Sequence, residues 1–490
     1  MTTSVPETHD HILAAHAAYE RSREVDPATR AGWLEAIATG LEEAAAELVP
    51  VAHRETHLDE GRLGGELKRS VFQLRLFVGE IMAGEHLEAT IDHADPGWGM
   101  GPRPDLRRMN VPLGVVGVFG ASNFPFAFSV MGGDSASALA AGCGVVHKAH
   151  DGHLELALLT GEVVRDALAR AGAPEGLFSV VSGREAAEAI VDHPLVKAIG
   201  FTGSTAGGRA LFDRAARRPV PIPFFGELGS INPVFVTEQA WAARRDSILA
   251  GYAKSFTLGM GQFCTKPGLL FAPIEDAEET AAALAAELRD ATRAPLLSPR
   301  LREGFDHALS EVQSHPGVRV LMAGGESEAP RPTVLLTDAR TVQDNPDLLE
   351  LEMFGPATLM VRYDPGTDLS GLAALLDGQL TATVQGEPSE DVSELLAVLG
   401  DRAGRLVWNS WPTGVSVTYA QQHGGPYPAT TASGTTSVGT AAIRRFLRPV
   451  AYDSFPSEQL PPALLDENPW GIRRRVDGVH EASTEKAGIL

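Results

Sequence analysis

Two cysteines, Cys143 and Cys264, are all that this 490-residue chain contains. Two thiols cannot build a disulfide framework, and they point to a reducing, cytoplasmic compartment. They offer no zinc-type ligand spacing either. Basic residues are also short: 41 Lys and Arg stand against 63 Asp and Glu, a formal charge of -22. That balance excludes general nucleic-acid binding, which needs basic patches against phosphate, and disfavours docking on anionic membranes. No basic segment followed by an apolar run opens the chain, so no secretory leader is expected from Met1 to Glu7. One charge-free run, Val111 to Gly133, imitates a membrane span. Its five glycines and two prolines suit a buried strand, a turn and a helix start instead. Internal repeats and low-complexity linkers are absent.

What is present reads as a globular enzyme. Hydrophobic residues make up 44% and charged residues 21%, and the length calls for two or three domains. Apolar residues recur at helical spacing from about His9 to Ala83. Residues 85–110 are polar and rich in Gly and Pro, which predicts an exposed excursion. Strands and helices then alternate. Val115-Phe119, Val145-Lys148, Phe178-Val181 and Val196-Phe201 read as strands, and Ser135-Gly142, Leu154-Ala171 and Glu185-Asp192 as helices. Such alternation predicts a doubly wound parallel sheet, with ligands at the carboxyl ends of its strands. A second run follows Glu227: strand Pro233-Val236, helix Ser247-Leu258, strand Leu269-Phe271 and a helix from Asp276 to Thr292. The Pro- and Arg-rich tail from Arg444 to Val476 reads as an arm lying on another surface, a second subunit being one candidate.

The chemistry is concentrated in two segments whose reactive residues, Glu227 and Cys264, lie 37 positions apart. The first is Phe224-Phe225-Gly226-Glu227-Leu228-Gly229-Ser230. The second is Gly259-Met260-Gly261-Gln262-Phe263-Cys264-Thr265-Lys266-Pro267-Gly268. A deprotonated thiol attacks carbonyl carbon, and a carboxylate in apolar surroundings serves as a general base. Each residue also has an ordinary reading, as a buried small hydrophobe and a snorkelling or capping carboxylate.

Six motifs in order decide between these readings. Pro112-Leu113-Gly114-Val115-Val116, Asn123-Phe124-Pro125, Gly200-Phe201-Thr202-Gly203-Ser204, Glu227-Leu228-Gly229, Gly261-Gln262-Phe263-Cys264 and Glu352-Met353-Phe354-Gly355-Pro356 resemble the motifs of the aldehyde dehydrogenase superfamily. The resemblance runs over nearly the whole chain. Further segments are similar to the branch of α-ketoglutaric semialdehyde (2,5-dioxopentanoate) dehydrogenases. They include Gly117 to Asn123, Lys148-Ala149-His150, Trp408 to Val415, His423-Gly424-Gly425-Pro426-Tyr427-Pro428-Ala429-Thr430, and the ending from Thr435 to Pro469.

The resemblance implies an α/β fold of two doubly wound domains plus a small oligomerisation arm. A dinucleotide-binding domain is expected over 1–228, including the excursion at 85–110, and a catalytic domain over 229–430. A return segment with the arm is expected over 431–490. It implies Cys264 as nucleophile, Glu227 as the base for thioester hydrolysis, and Asn123 with the Cys264 backbone N–H as oxyanion donors. The presence of Glu227 favours a free acid as product over a CoA ester. For NAD or NADP it implies Lys148 at the adenosine ribose, Gly203, Ser204 and Gly208 at the pyrophosphate, Glu352 at the nicotinamide ribose and Phe354 near the ring. The partners implied are a small aldehyde and further copies of the chain, as a homodimer or homotetramer.

Several positions pull in other directions. Asp151 would accept from a free 2′-hydroxyl and repel a 2′-phosphate, whereas Arg184 stands where NADP-using relatives place a phosphate-binding arginine. Both dinucleotides therefore stay open. His147 occupies a position where a buried strand expects an apolar residue, and Ser230 replaces a glycine. His423 is a candidate to touch the substrate or tune Cys264, or else a surface-loop histidine. No residue is assigned to a substrate carboxylate; arginines of the tail are candidates by charge alone. The alternatives to a short, acidic aldehyde as substrate are a general aliphatic aldehyde dehydrogenase and a nucleotide-binding homologue without turnover.

Overall fold

The computed structural model describes residues 2–291, 293–323 and 328–481. Met1, the expected helix end at Thr292 and the last part of the expected arm, 482–490, fall outside the described residues.

The first sheet is wholly parallel. Across it run Phe178–Val181, Gly144–Lys148, Val115–Phe119, Val196–Thr202 and Phe224–Glu227. Its strands are buried on both faces, which is why they read as unbroken Val/Ile/Phe runs. The chain enters at the central strand, fills one side, then crosses to the other. The reversal lies between Val115–Phe119 and Val196–Thr202, and crevices that bind ligands open at such switch points. The turn bearing Asn123 follows the first of these strands, and Gly203-Ser204 follows the second.

The second sheet runs Arg319–Met322, Thr333–Asp338, Ala357–Arg362, Leu269–Ala272, Val234–Val236, Gln379–Gln385 and Ala403–Trp408. All its pairs are parallel except the first, at the edge. Cys264 precedes the strand Leu269–Ala272, and Glu352 precedes Ala357–Arg362. Loops at the amino edge of this sheet therefore meet loops at the carboxyl edge of the first.

Some expected boundaries shift. The helix expected over Ser247-Leu258 spans Glu238–Thr257 and is kinked at Arg244, and the helix expected from Asp276 ends at Glu287. The excursion at 85–110 is more ordered than its composition suggests. Thr90–Asp92 and Leu106–Pro112 are strands, and Leu447–Asp453 of the tail pairs antiparallel with the latter. Arg474–Val476 and Val479–Glu481 complete this third sheet. The tail thus lies on its own chain through backbone pairing, which composition does not register. Four arginines of the tail are committed to ion pairs: Arg444 with Glu88, Arg445 with the buried Asp134, Arg473 with Glu85 and Arg474 with Glu481. This removes these four from the candidates for a substrate carboxylate.

One N-terminal helix reaches the space between the sheets. Glu60–Ala83 starts at Asp59, whose side chain caps Arg62 N–H, and stops at Gly84 with φ 71°. Its residues Arg62, Glu66 and Arg69 share one face at helical spacing. Glu66 accepts the backbone N–H groups of Phe126 and Ala127 at 2.8 and 2.9 Å, which fixes the turn just after Asn123. Among the described residues no helix is long and apolar enough to cross a membrane.

Candidate active site

Cys264 lies in a loop whose backbone is held from two sides. Asn232 Nδ2 donates to the carbonyls of Ser230, Cys264 and Lys266 at 3.2, 2.8 and 3.0 Å. Ser230 and Thr381 donate to Asn232 Oδ1, while Gln379 Oε1 accepts the N–H groups of Ile231 and Asn232. Ser230, which departs from the motif, is thus a full member of the network joining the Glu227 strand to the cysteine loop. Gly261 has φ 67°, and a Cβ there would lie 2.1 Å from the Gly355 carbonyl oxygen. Only glycine permits this approach of the cysteine loop to the Glu352 segment.

The reactive groups converge. Glu227 ends its strand, buried at 4% exposure, and its Oε1 lies 2.9 Å from His423 Nε2. The same Nε2 lies 3.6 Å from Cys264 Sγ. Ser437 Oγ donates to the other carboxylate oxygen at 2.8 Å. His423 is buried at 1% exposure, so the reading of it as a surface-loop residue is corrected. Its loop folds inward because the Ser437 N–H and Thr436 hydroxyl hold the His423 backbone, and because Gly404 and Gly424 pack backbone to backbone. Asn123 Nδ2 donates to the Gln262 carbonyl at 3.0 Å and keeps a second N–H for another acceptor. Among the described residues the Cys264 backbone N–H donates to nothing.

Burial pushes the Cys264 thiol well above its ordinary range, and the Glu227 and Glu352 charges add to this. Burial also pushes the Glu227 carboxyl up. The charge and hydrogen bond of His423, with the hydrogen bonds of Ser437 and Cys264, outweigh it and leave Glu227 below the usual carboxylate range. At neutral pH the resting site is therefore a thiol beside a carboxylate. A thiol with a raised pKa is protonated below that pKa, so its reactivity should climb with pH. Iodoacetamide labelling of Cys264 without cofactor is expected to accelerate about tenfold per pH unit from 6.5 to 8.5. A flat profile over that range would show a thiolate already formed against His423.

The cofactor candidates fall into two groups, one at a cleft beside Lys148 and one at the start of the helix Thr205–Ala216. Lys148 ends its strand and pairs with Asp151 at 3.1 Å. Asp151 and Arg184 line one cleft of about 460 Å³ with Thr2, Leu154, Ser182 and Gly183. The two opposed clues to the cofactor thus share one place; Arg184 is exposed and also pairs with Glu188 at 3.1 Å. Ser204 caps the helix Thr205–Ala216 by accepting from Gly207 N–H, with Gly203 just before it. Gly208 packs against Leu228 and Phe201, where a Cβ would come within 2.2 Å of Leu228 Cδ2. It brings the helix onto the Glu227 strand. A Cβ on Gly229 would lie 2.6 Å from a Glu352 carboxylate oxygen and 2.8 Å from the Thr205 hydroxyl. Glu352 therefore stands beside the helix start, where backbone donors and an acidic side chain suit a dinucleotide.

Lys266, which sequence reasoning passed over, secures this second group. Its ammonium donates to the carbonyls of Met353, Gly355 and Ala357 at 2.5, 3.3 and 2.8 Å, fixing the segment that carries Glu352 and Phe354. Burial lowers Lys266 to about 8 and raises Glu352 to about 7, each moderated by the other's charge. His147 is a buried histidine whose Nδ1 lies 3.2 Å from the Ser135 hydroxyl.

A partly buried thiol beside a buried carboxylate, between two doubly wound sheets, matches a known class of oxidoreductase. The chain belongs to the aldehyde dehydrogenase family, whose model covers residues 2–448. It has the aldehyde dehydrogenase fold and oxidises aldehydes. It is similar to alpha-ketoglutaric semialdehyde dehydrogenase 2 of Azospirillum brasilense, 44% identical over 95% of this chain and 90% of that protein. An alpha-ketoglutaric semialdehyde dehydrogenase of Acinetobacter baylyi is 41% identical over 97% of this chain and 92% of its own length. Among solved structures, methylmalonate-semialdehyde dehydrogenase from Oceanimonas doudoroffii superposes with a TM-score of 0.78 at 19% identity, over 93% of this chain and 92% of that one.

Proposed function

We propose that this enzyme oxidises 2,5-dioxopentanoate to 2-oxoglutarate with NAD or NADP. The observation that carries the chemistry is the meeting of Cys264, Glu227 and His423 within 4.8 Å. The substrate rests on the two relatives and on the buried loop headed by His423.

Cys264 loses its proton toward Glu227, directly or through His423, and its sulfur adds to the aldehyde carbon. The resulting oxyanion takes the free Asn123 amide N–H and the Cys264 backbone N–H. The bound dinucleotide supplies the acceptor for the hydride that leaves this carbon. Cys264 then carries a thioester. Glu227 removes a proton from water as the water attacks the thioester, releasing the acid and the cysteine. Glu227 passes the proton taken from Cys264 to solvent before this step, and Ser437 and His423, on its two carboxylate oxygens, favour its return to the ionised form.

At the other end of the dinucleotide, Lys148 and Asp151 would meet the adenosine ribose, and Arg184 a 2′-phosphate. The sheet built from the excursion and the tail would serve as the oligomerisation arm of a homodimer or homotetramer in the cytoplasm, its edge strand Leu447–Asp453 open to another copy. The domain division that goes with this reading is 1–228 for the dinucleotide, 229–430 for catalysis and 431–490 for the return segment and arm.

The test is nicotinamide reduction with 2,5-dioxopentanoate, pentanal and hexanal, each with NAD and with NADP. The expected result is at least about a tenfold preference in kcat/KM for the dioxo acid. A preference for NADP that Arg184→Ala removes assigns the cleft to a 2′-phosphate; a preference for NAD that Asp151→Ala removes assigns it to a free hydroxyl. Equal or better turnover of the plain aldehydes would contradict the substrate.

A further inference from the structure

A substrate such as 2,5-dioxopentanoate carries its carboxylate at the far end of a five-carbon chain, and the reacting groups near Cys264 offer no cation for it. Two half-buried guanidinium groups stand one step further out. Arg69 lies on the helix Glu60–Ala83, its guanidinium carbon 5.1 Å above the Phe128 ring. The other face of the same neighbourhood is His423, whose ring centroid is 6.0 Å from that of Phe128. Arg405 lies in the strand Ala403–Trp408, next to Gly404, which touches the Gly424 carbonyl beside His423. Both guanidinium groups feel the charge that Cys264 takes on when it ionises.

The same turn fixes both. Arg405 donates to the carbonyls of Pro412 and Gly414 at 2.5 and 3.0 Å, and Arg69 to that of Val415 at 3.4 Å. After these bonds one buried N–H-bearing nitrogen remains without a partner on each: Nη1 of Arg69 and Nε of Arg405. Among the described residues neither arginine forms an ion pair. Glu66, on the same helix, is felt by Arg69 as a charge but is not bonded to it; its Oε1 accepts the amides of Phe126 and Ala127, its Oε2 is buried without a partner, and burial pushes its pKa up. Burial likewise disfavours the charge on both arginines. Two desolvated cations with unmet donors, set against a carbonyl-lined turn, call for an anion with planar acceptors. Arg62 is a poorer candidate, because it is stacked on Phe124 and Phe263 and donates to the Asn123 carbonyl, where it holds the oxyanion turn.

We propose that Arg69 and Arg405 together bind the distal carboxylate of the substrate and so set the preference for anionic aldehydes. The proposal rests on the aldehyde-oxidising site described above, but not on which anionic aldehyde is physiological.

The test measures kcat and KM for wild type, Arg69→Gln, Arg69→Lys and Arg405→Gln with 2,5-dioxopentanoate, glutaric semialdehyde, succinic semialdehyde and pentanal. Each Gln variant is expected to lose about 30- to 100-fold in kcat/KM on the anionic aldehydes, chiefly through KM, because a desolvated charge pair loses one partner. Activity on pentanal should change less than about threefold, and Arg69→Lys should recover part of the loss. The separation of charged from uncharged aldehyde is the readout that a merely structural role would not give. Equal losses on pentanal in both the Gln and Lys variants, or no loss on any anionic aldehyde, would overturn the arginine proposal while leaving the substrate reading intact. A wild type that prefers glutaric semialdehyde, with the same arginine dependence, would uphold the arginines and overturn 2,5-dioxopentanoate. A wild type indifferent to charge would overturn both.

Discussion

Cys264→Ala is expected to lower aldehyde oxidation about 10⁵-fold while changing dinucleotide affinity by no more than about twofold. The size follows from what the thiol does: with no sulfur there is no thiohemiacetal and no carbon from which hydride can leave in the bound state. The remaining oxyanion donors and base cannot make up for it. The other cysteine offers no bypass, because Cys143 is fully buried, its Sγ lies 3.5 Å from the Phe446 carbonyl, and burial pushes its pKa up to about 11. Retained binding is expected because the cleft of Asp151 and Arg184 is lined by no residue of the Cys264 loop. Fluorescence titration with the dinucleotide, alongside steady-state rates, checks both halves. Substantial residual turnover would move the nucleophile elsewhere. Lost binding would show that the cysteine loop shapes the dinucleotide site.

Glu227→Gln should separate the two halves of the reaction. The amide keeps the volume and can still bond His423 and Ser437, so the pocket should stay assembled. It cannot take a proton from water. Steady turnover is expected to fall about 10²- to 10⁴-fold, the usual contribution of a general base. Thiol activation has a second route, since His423 Nε2 stands 3.6 Å from Sγ. The first equivalent of reduced nicotinamide should therefore appear faster than later ones. Stopped-flow absorbance reads this as a burst of about one per site. A uniformly slow trace with no burst would mean that Glu227 is required to deprotonate Cys264, and that His423 only orients it. An unchanged steady rate would remove Glu227 from the base role.

The parts of this account visible in the sequence are those whose signal is local. Strand runs such as Val115-Val116-Gly117-Val118-Phe119 read correctly because parallel strands buried on both faces are continuously apolar. Cys264, Glu227 and Asn123 stood out because each sits in a short, Gly- or Pro-marked segment, and the family's order of motifs ties them together. The strands at 90–92 and 106–112 pair with each other, but they are hidden in the sequence because their other neighbours come from the tail, far along the chain. Arg69 looked like one more polar residue of an amphipathic helix. Its significance comes from Phe128 and from the turn at Val415, neither of which is near it in sequence. Lys266 lay inside a quoted motif, yet its bonds to Met353, Gly355 and Ala357 appear only once two strands are placed side by side. His423 could be suspected from its glycine-rich loop, but nothing local shows that the loop turns inward to meet Glu227.

The most direct test of the central claim is to trap the covalent intermediate. Glu227→Gln is mixed with dinucleotide and the aldehyde that the wild type turns over fastest, quenched in acid within the burst, and digested for mass spectrometry. The account predicts an acyl group, two hydrogens lighter than the added aldehyde's thiohemiacetal, on the peptide containing Cys264 and on no other. An acyl group elsewhere, or a burst of reduced nicotinamide with Cys264 unmodified, would contradict it.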